Sequence, residues 1–415
     1  MAMESNAADE VLLGQDALRI YRSGKMDRLH RPVLVPAGVD AATGVTSKDV
    51  VVDADSGLSV RIFLPTDRPD PSKKIPVVVF FHGGAFVIES AVSTTYHTFA
   101  ASLAAAAGAV VVSVEYRLAP EHPVPAAYDD AWAALQWAVS GKDEWLAENG
   151  DFGRLFLAGD SAGGNMVHHV LLKSASSDPA PPKIEGAILL HPWFGGNTLV
   201  DGEPEEVARD MAKIWVFACP GAVGGADDPR FNPTAPGAAA ALENIRCERM
   251  LVCTGEKDWA GARGRAYYAA VTASAWRGSA AWLESEGEGH VFFLEKPECE
   301  KTKEVMDRVV AFISGSRGIW KARTTAEHQQ QQKAAMDPAP ATTELRFDSP
   351  LLRIYNDGRV ERLFGTDTTP AGFDAATGVT SKDVVIDADT GLSARLYLPA
   401  ASDPGHPKKK LPIVV

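Results

Sequence analysis

Residues 153–167, Gly-Arg-Leu-Phe-Leu-Ala-Gly-Asp-Ser-Ala-Gly-Gly-Asn-Met-Val, constrain the chain more than any other stretch. The apolar run Leu155 to Ala158 reads as a buried strand that stops at Gly159, and helix-like sequence begins just after Ser161. Gly-x-Ser-x-Gly between a strand and a helix is a sharp, strained turn that lifts a serine hydroxyl above the edge of a sheet. Small neighbours tolerate that backbone, and Gly159, Ala162 and Gly163 supply them. The turn also leaves the Ala162 N–H at a helix N-terminus, aimed at developing negative charge. Alone, the pattern occurs by chance in many proteins. Its meaning depends on the rest of the chain.

Around this turn the chain alternates between strand-like and helix-like sequence. Residues 1–45 are irregular, with one short helix expected around Glu10–Tyr21. Strands are expected at Lys48–Asp53, Leu58–Leu64 and Ile75–Phe81, the first two joined as a hairpin by Asp-Ala-Asp-Ser-Gly. Helices at Thr94–Ala107 and Ala126–Val139 flank a β-branched strand at Ala109–Glu115. After the serine turn come a strand at Ile184–Leu190 and an irregular Gly/Pro-rich stretch from Gly195 to about Glu243. Alternation then resumes with strand Arg249–Thr254, helix Ala260–Trp276, strand Ala280–Glu284 and helix Glu298–Ser314. This pattern predicts an α/β domain over 1–315, with a mostly parallel central sheet covered by helices on both faces. The insertion after the sixth strand is expected to cap the carboxyl ends of the strands.

Beyond it, residues 316–336 contain the Gln329–Gln332 run and few apolar residues, and read as a flexible linker. The chain then repeats itself. Asp374–Val385 is identical to Asp40–Val51, Leu392–Pro399 tracks Leu58–Pro65, and Leu411–Val415 matches Ile75–Val79. Residues 337–415 are therefore expected to be a truncated second copy of the domain's opening. They hold neither a Gly-x-Ser-x-Gly nor a His-Gly-Gly, so they are expected to be non-catalytic.

A nucleophilic serine needs a base to take its proton and a carboxylate to orient that base. With the serine on such a turn, the chain order is Ser, then Asp or Glu, then His. Asp258 follows the strand Arg249–Thr254, at the carboxyl end where parallel sheets place functional groups, and His290 follows the next strand in a Gly-rich loop. Either residue alone reads as an ordinary loop side chain. Both downstream of Ser161, one strand apart, they read as a triad. Glu256 is the runner-up acid, on the opposite side of an extended loop. His168 and His169 lie on the helix after Ser161 and face away from the turn, and His191 is expected to shape the base of the cap. Directly after strand Ile75–Phe81, His82-Gly83-Gly84-Ala85 offers backbone donors for an oxyanion hole, expected to be the N–H groups of Gly83, Gly84 and Ala162.

His-Gly-Gly-Ala-Phe, the stretch Tyr116–Asp130, Gly-Asp-Ser-Ala-Gly-Gly-Asn and Gly-His-x-Phe together resemble the plant carboxylesterases of the hormone-sensitive lipase-like family. The resemblance covers residues 1 to about 315. It implies an α/β-hydrolase fold with an N-terminal cap, cofactor-free ester hydrolysis without a metal, and the triad Ser161, Asp258 and His290. The sequence departs from the usual pattern at Ala85, where a third glycine is common, which bears on the acyl pocket more than on activity. A substrate pocket lined by Ala85, Trp193, Phe194, Trp215 and Phe292, with Phe217 and Trp259 nearby, is expected to take small or aromatic esters. Two alternatives stand beside the esterase. One is a hydroxyisoflavanone-dehydratase-like lyase, which no motif excludes. The other is a gibberellin-receptor-like binder, disfavoured because receptors of that kind lack the catalytic histidine and His290 is present.

Charge and composition narrow the partners. A net charge of −13 with no basic cluster except Lys408–Lys410 argues against nucleic acid and anionic membrane surfaces. The polar, acidic start shows no signal-peptide pattern, and no apolar run reaches membrane-spanning length. Four widely spaced cysteines without a C-x-x-C pair fit free thiols in a reducing, cytoplasmic setting.

Overall fold

The β-branched run ending in Phe80-Phe81 forms the middle of the sheet, and the rest of the domain is laid down on either side of it. The structure, a computed structural model, describes residues 10–14, 17–68, 70–177 and 183–315, together with six strands between 345 and 399. Two compact units divide it, Met1–Gln329 and Gln330–Val415. The stretch expected to be a linker, 316–336, lies outside the described residues.

In the first unit a small antiparallel sheet comes first: β1 (Val11–Gly14), β2 (Leu18–Tyr21) and β3 (Met26–Arg28). This corrects the helix expected over Glu10–Tyr21. Leu18 and Ile20 are buried while Arg19 between them is exposed, a period of two that belongs to a strand. Then follow β4 (Val45–Asp53), β5 (Leu58–Pro65), β6 (Ile75–Phe81), α1 (Thr94–Ala107), β7 (Val110–Glu115), α2 (Ala126–Ala138) and α3 (Glu144–Asn149). The serine turn joins β8 (Gly150–Asp160) to α4 (Ala162–Ala175), and β9 (Ile184–Leu190) comes after it. The chain continues through α5 (Glu205–Ala218), β10 (Arg249–Gly255), α6 (Gly261–Ala273), β11 (Ser279–Ser285), α7 (Phe292–Glu295) and α8 (Glu300–Ser314).

The insertion expected to be irregular contains α5. Glycines and prolines flank this helix, but Glu205 and Glu206 favour its positive N-terminus, and Ile214, Trp215 and Ala218 make a buried stripe. A buried ion pair holds the preceding loop down. Arg263 of α6 meets Glu203 and also donates to the Thr198 carbonyl at 2.7 Å.

The main sheet has the order β11-β10-β9-β8-β6-β7-β5-β4. Only β5 runs against the others, pairing antiparallel with both β4 and β7. Alternate residues of β6 go to opposite faces. Val77, Val79 and Phe81 join the core that includes Ala131 of α2 and Met166 of α4; Val78 and Phe80 join the one that includes Ala100 of α1 and Val309 of α8. After β6 the chain crosses to β7 on one side and later returns to β8 on the other. The carboxyl ends of β6 and β8 therefore flank the topological switch point, where open α/β sheets bind ligands. One arginine ties the small N-terminal sheet to this end. Arg28 donates to the Val87 carbonyl at 2.6 Å, to the Ala119 carbonyl at 2.8 Å, and to both oxygens of Glu121.

In the second unit β12 (Leu345–Asp348), β13 (Leu352–Tyr355) and β14 (Val360–Arg362) form one sheet. Another contains β15 (Phe373–Asp374), β16 (Val379–Asp387) and β17 (Leu392–Pro399). Val379 opposite Pro399 repeats the register of Val45 opposite Pro65.

The serine turn is possible because two glycines let backbones touch. A Cβ on Gly163 would overlap the Phe81 carbonyl, and one on Gly159 would stand 2.8 Å from the same oxygen. Alanine at 163 gains at most about 1 kcal/mol of helix propensity, against an overpacking cost of about 1–3 kcal/mol or more. Gly163→Ala is therefore expected to lower stability by at least about 1 kcal/mol, read as a lower urea midpoint at unchanged slope. An unchanged midpoint would contradict the close contact.

Candidate active site

Backbone hydrogen bonds stitch the carboxyl ends of four neighbouring strands together. Ser161 N–H donates to the Leu190 carbonyl of β9 at 2.9 Å, and His191 N–H to the Cys253 carbonyl of β10 at 2.7 Å. Lys257 N–H, just past β10, donates to the Glu288 carbonyl beyond β11 at 2.9 Å. Ser161, His191, Asp258 and His290 thus leave β8, β9, β10 and β11 at one level. Ser161 and His191 have φ of 51° and 49°, and Val291 has 45°. The left-handed region is unfavourable for all three, most of all for the β-branched valine, and such strain concentrates at functional loops.

The side chains converge as the spacing predicts for Ser161, Asp258 and His290. His290 Nε2 lies 3.0 Å from Ser161 Oγ, and His290 Nδ1 lies 2.7 Å from Asp258 Oδ1. Asp258 is buried, and its Oδ1 also accepts from Ala260 N–H at 2.8 Å. Burial pushes this carboxyl up. The charge of His290 and the hydrogen bonds from His191 and His290 outweigh it and hold the group well below the usual carboxylate range. Trp259 packs over the imidazole, ring centroids 4.1 Å apart. Glu256, the runner-up acid, is exposed and accepts from Gly287 N–H.

One of the expected oxyanion donors, Gly83, is already engaged. Gly83 N–H is buried and already donates to the Tyr96 hydroxyl at 2.9 Å and to Asp160 Oδ1 at 3.0 Å. It is not free for a substrate. Gly84 and Ala85, next along the loop, are half-buried and therefore reachable. Glycine is required at 84 because φ is 104° and a Cβ would overlap the Ile88 carbonyl.

The aromatic lining is corrected as well. Trp193 and Trp215 have no exposed surface, and Phe194 and Phe292 retain 3% and 2%. Trp215 stacks flat on Phe231 at 5.0 Å, Trp193 meets the same ring edge-on, and Phe194 packs on Tyr267. All four belong to the buried hydrophobic clusters, so they pack the core. Ala85, Phe217 and Trp259 are the half-buried members of the predicted set. His168 bonds the Tyr267 hydroxyl within the packed interior, and the half-buried His169 stacks on Tyr128.

Two participants lie outside the predicted set. His191, expected at the base of the cap, places Nδ1 2.7 Å from Asp258 Oδ2. Its position directly after a parallel strand is the same signal that singles out Asp258 and His290. Asp160 has no comparable signal, because its partners Tyr96 and Gly83 come from distant segments. The ligand atoms of His191, Asp258 and His290 lie within 4.8 Å of one another. The hydrogen bonds from both imidazoles to the carboxylate account for that spacing without an ion.

The chain matches a family described as alpha/beta hydrolase fold over residues 78–294. It is 41% identical over 318 residues to "Probable carboxylesterase 13" of Arabidopsis thaliana, covering 72% of this chain and 96% of the relative. The chain belongs to the α/β-hydrolase family, among its plant carboxylesterases. "Tuliposide A-converting enzyme b3, amyloplastic" of Tulipa gesneriana is 42% identical over 303 residues, 72% of this chain and 78% of that one. Of solved structures, the esterase of Pyrobaculum calidifontis aligns with a TM-score of 0.53 at 27% identity, covering 65% of this chain and 85% of its own. A thermostable esterase from Pseudomonas putida aligns with a TM-score of 0.56 at 25% identity, covering 67% and 84%. Among the described residues of this hydrolase no helix is long and apolar enough to cross a membrane.

Asp160 gives the domain a testable electrostatic signature. Burial raises its carboxyl to about 7, although the Tyr96 hydroxyl, the charge of His290 and Gly83 N–H all favour the ionised form. The folded state therefore holds this proton where the unfolded chain, with an aspartate near 3.9, has released it. That contribution is present below about pH 4 and is lost as pH rises to about 7. The side-chain amide introduced by Asp160→Asn cannot titrate and still offers an acceptor to Gly83 N–H. The stability of Asp160→Asn relative to wild type is expected to rise across this window, by up to about 1.4 kcal/mol per pH unit. Urea unfolding at several pH values checks it; a constant difference would show that Asp160 ionises normally.

Proposed function

We propose that the chain is a serine carboxylesterase acting through an acyl-enzyme. Ser161 Oγ attacks the ester carbonyl while His290 Nε2 takes its proton. Asp258 orients the imidazole and balances the imidazolium charge. The tetrahedral oxyanion is held by the N–H groups of Gly84, Ala85 and Ala162. Gly83 supports the loop from behind through Asp160 and Tyr96. Collapse of the intermediate expels the alcohol, which receives the proton from His290. A water molecule, activated by the same imidazole, then releases the acid. The observation that carries this reading is the continuous relay of 3.0 Å and 2.7 Å from Ser161 through His290 to Asp258. Apposition of nucleophile, base and orienting carboxylate at these distances is the geometry acyl transfer requires.

Small or aromatic carboxylic esters fit this reading, since the half-buried Trp259 packs beside the His290 imidazole. We assign the catalytic domain to residues 1–315, with residues 337–415 as a non-catalytic copy of its opening. A cytoplasmic location belongs to the same reading: Cys219, Cys247, Cys253 and Cys299 are all free thiols, as in a reducing compartment. The tulip relative, by contrast, carries a plastid name.

Hydrolysis of p-nitrophenyl acetate and butyrate tests the proposal directly. Ser161→Ala and His290→Ala are each expected to lower kcat by about 10³-fold or more. Ser161→Ala should also abolish labelling by a fluorophosphonate. A folded wild type that neither turns over these esters nor labels would overturn the reading and redirect attention to elimination chemistry or ligand binding.

A further inference from the structure

The carboxylate that orients His290 is held by a second imidazole. Asp258 Oδ1 has two donors, His290 Nδ1 and Ala260 N–H, whereas among the described residues Oδ2 has one, His191 Nδ1 at 2.7 Å. Neither side chain of the His191–Asp258 pair is exposed. We infer that His191 is a positioning residue, whose Nδ1–H pins Oδ2 of Asp258 so that Oδ1 stays aimed at the imidazole beside Ser161. The inference builds on the esterase reading of the site.

Three observations support it. The His191 N–H is bonded to the Cys253 carbonyl, so the imidazole is mounted on the same strand that leads into Asp258. The backbone at His191 is left-handed, a conformation that persists in a non-glycine residue only where its surroundings impose it. The ring is fixed from its other sides by Phe292, Phe293 and the edge of His290, with centroids 5.4 to 5.8 Å away.

Protonation decides what such a donor can do. Burial holds the His191 imidazole below its ordinary range, against the pull of the Asp258 charge. A neutral imidazole carries one N–H, and an ionised Asp258 requires it on Nδ1. Nε2 is then a bare acceptor, and it has no partner among the described residues. Val291 N–H, 3.3 Å from the same Nδ1, is a contact rather than a bond in that tautomer. A second imidazolium here would compete with His290 for the charge of Asp258. A neutral donor orients the carboxylate without doing so. Among the described residues the titratable group facing the pair is His290, whose charge also acts on Asp160.

Three substitutions separate positioning from packing. His191→Asn keeps an N–H near the Nδ1 position, His191→Gln moves it toward Nε2, and His191→Phe removes it while retaining a ring. The readouts are kcat and KM for p-nitrophenyl butyrate, the acid limb of kcat/KM against pH, and the downfield proton resonance of the His290–Asp258 hydrogen bond. His191→Phe is expected to lower kcat about 10- to 100-fold with little change in KM. Loss of the donor makes Asp258 more basic, so the acid limb should move up by about half a pH unit or more. The resonance should shift. The Asn variant should recover most of kcat, and the Gln variant should not; that contrast decides the matter where the Phe variant fails to fold. Wild-type kcat in a folded His191→Phe, or equal losses in the Asn and Gln variants with an unmoved resonance, would overturn the role. A wild type inactive on esters, with a resonance that still shifts in His191→Phe or His191→Gln, would instead sink the esterase reading and leave the positioning intact.

Discussion

The first turn of α4 presses against the Phe81 carbonyl more closely than any side chain would permit, and the catalytic end of the domain depends on that approach. Gly159 and Gly163 make it possible. Phe81 is the last residue of β6, so the loop that begins at His82 is brought beside Ser161 with no linker to position it. Tyr116 then fixes the loop by donating to the His82 carbonyl at 2.8 Å, and His82 stacks on the Tyr116 ring. The buried Asp160, next to the serine, holds the Gly83 N–H. A single steric constraint thereby sets the distance between a nucleophile and the amides that face it.

Electrostatics are divided among groups that burial alone would treat alike. Asp160 and Asp258 are both buried carboxylates within reach of the same imidazole. Asp258 receives two imidazole donors and one amide, and these overcome desolvation, so it stays ionised. Asp160 receives a tyrosine hydroxyl and one amide, and desolvation prevails. Two carboxyl groups near one histidine thus titrate far apart: Asp258 is ionised at neutral pH, whereas Asp160, raised to about 7, is only part-ionised there. Strain follows the same geography. Among the described residues, those other than glycine with positive φ are Ala85, Phe86, Glu89, Ser161, His191 and Val291, and all follow the carboxyl ends of β6, β8, β9 and β11.

Much of this is legible in the residues alone. The strands from Ile75 to Ser285 declare themselves as short apolar runs, and Ser161, Asp258 and His290 each stand just past one of them. What stays hidden depends on contacts between distant segments. Hydrogen bonding by Tyr96 and Asp160 decides that Gly83 is occupied, and no local pattern encodes it. Burial decides that Trp193 and Trp215 are core, although their apolar character reads equally well as a pocket wall. Helix α5 is concealed by the glycines and prolines around it. The two short strands near residues 11–21 read as a helix because each is too brief for its period of two to stand out.

The interior carries several imidazoles, and they tie the stability of the fold to pH. Burial lowers His82 to about 4, His168 to about 3 and His169 to about 4, so all three are folded in without their protons. Unfolding lets each take up a proton near pH 6.5. Their contribution is complete above about that value and drains away as the medium acidifies toward about 4; Asp160 pulls the other way, one group against three. In mildly acid solution the fold is therefore expected to lose stability while these imidazoles are still neutral in the folded state.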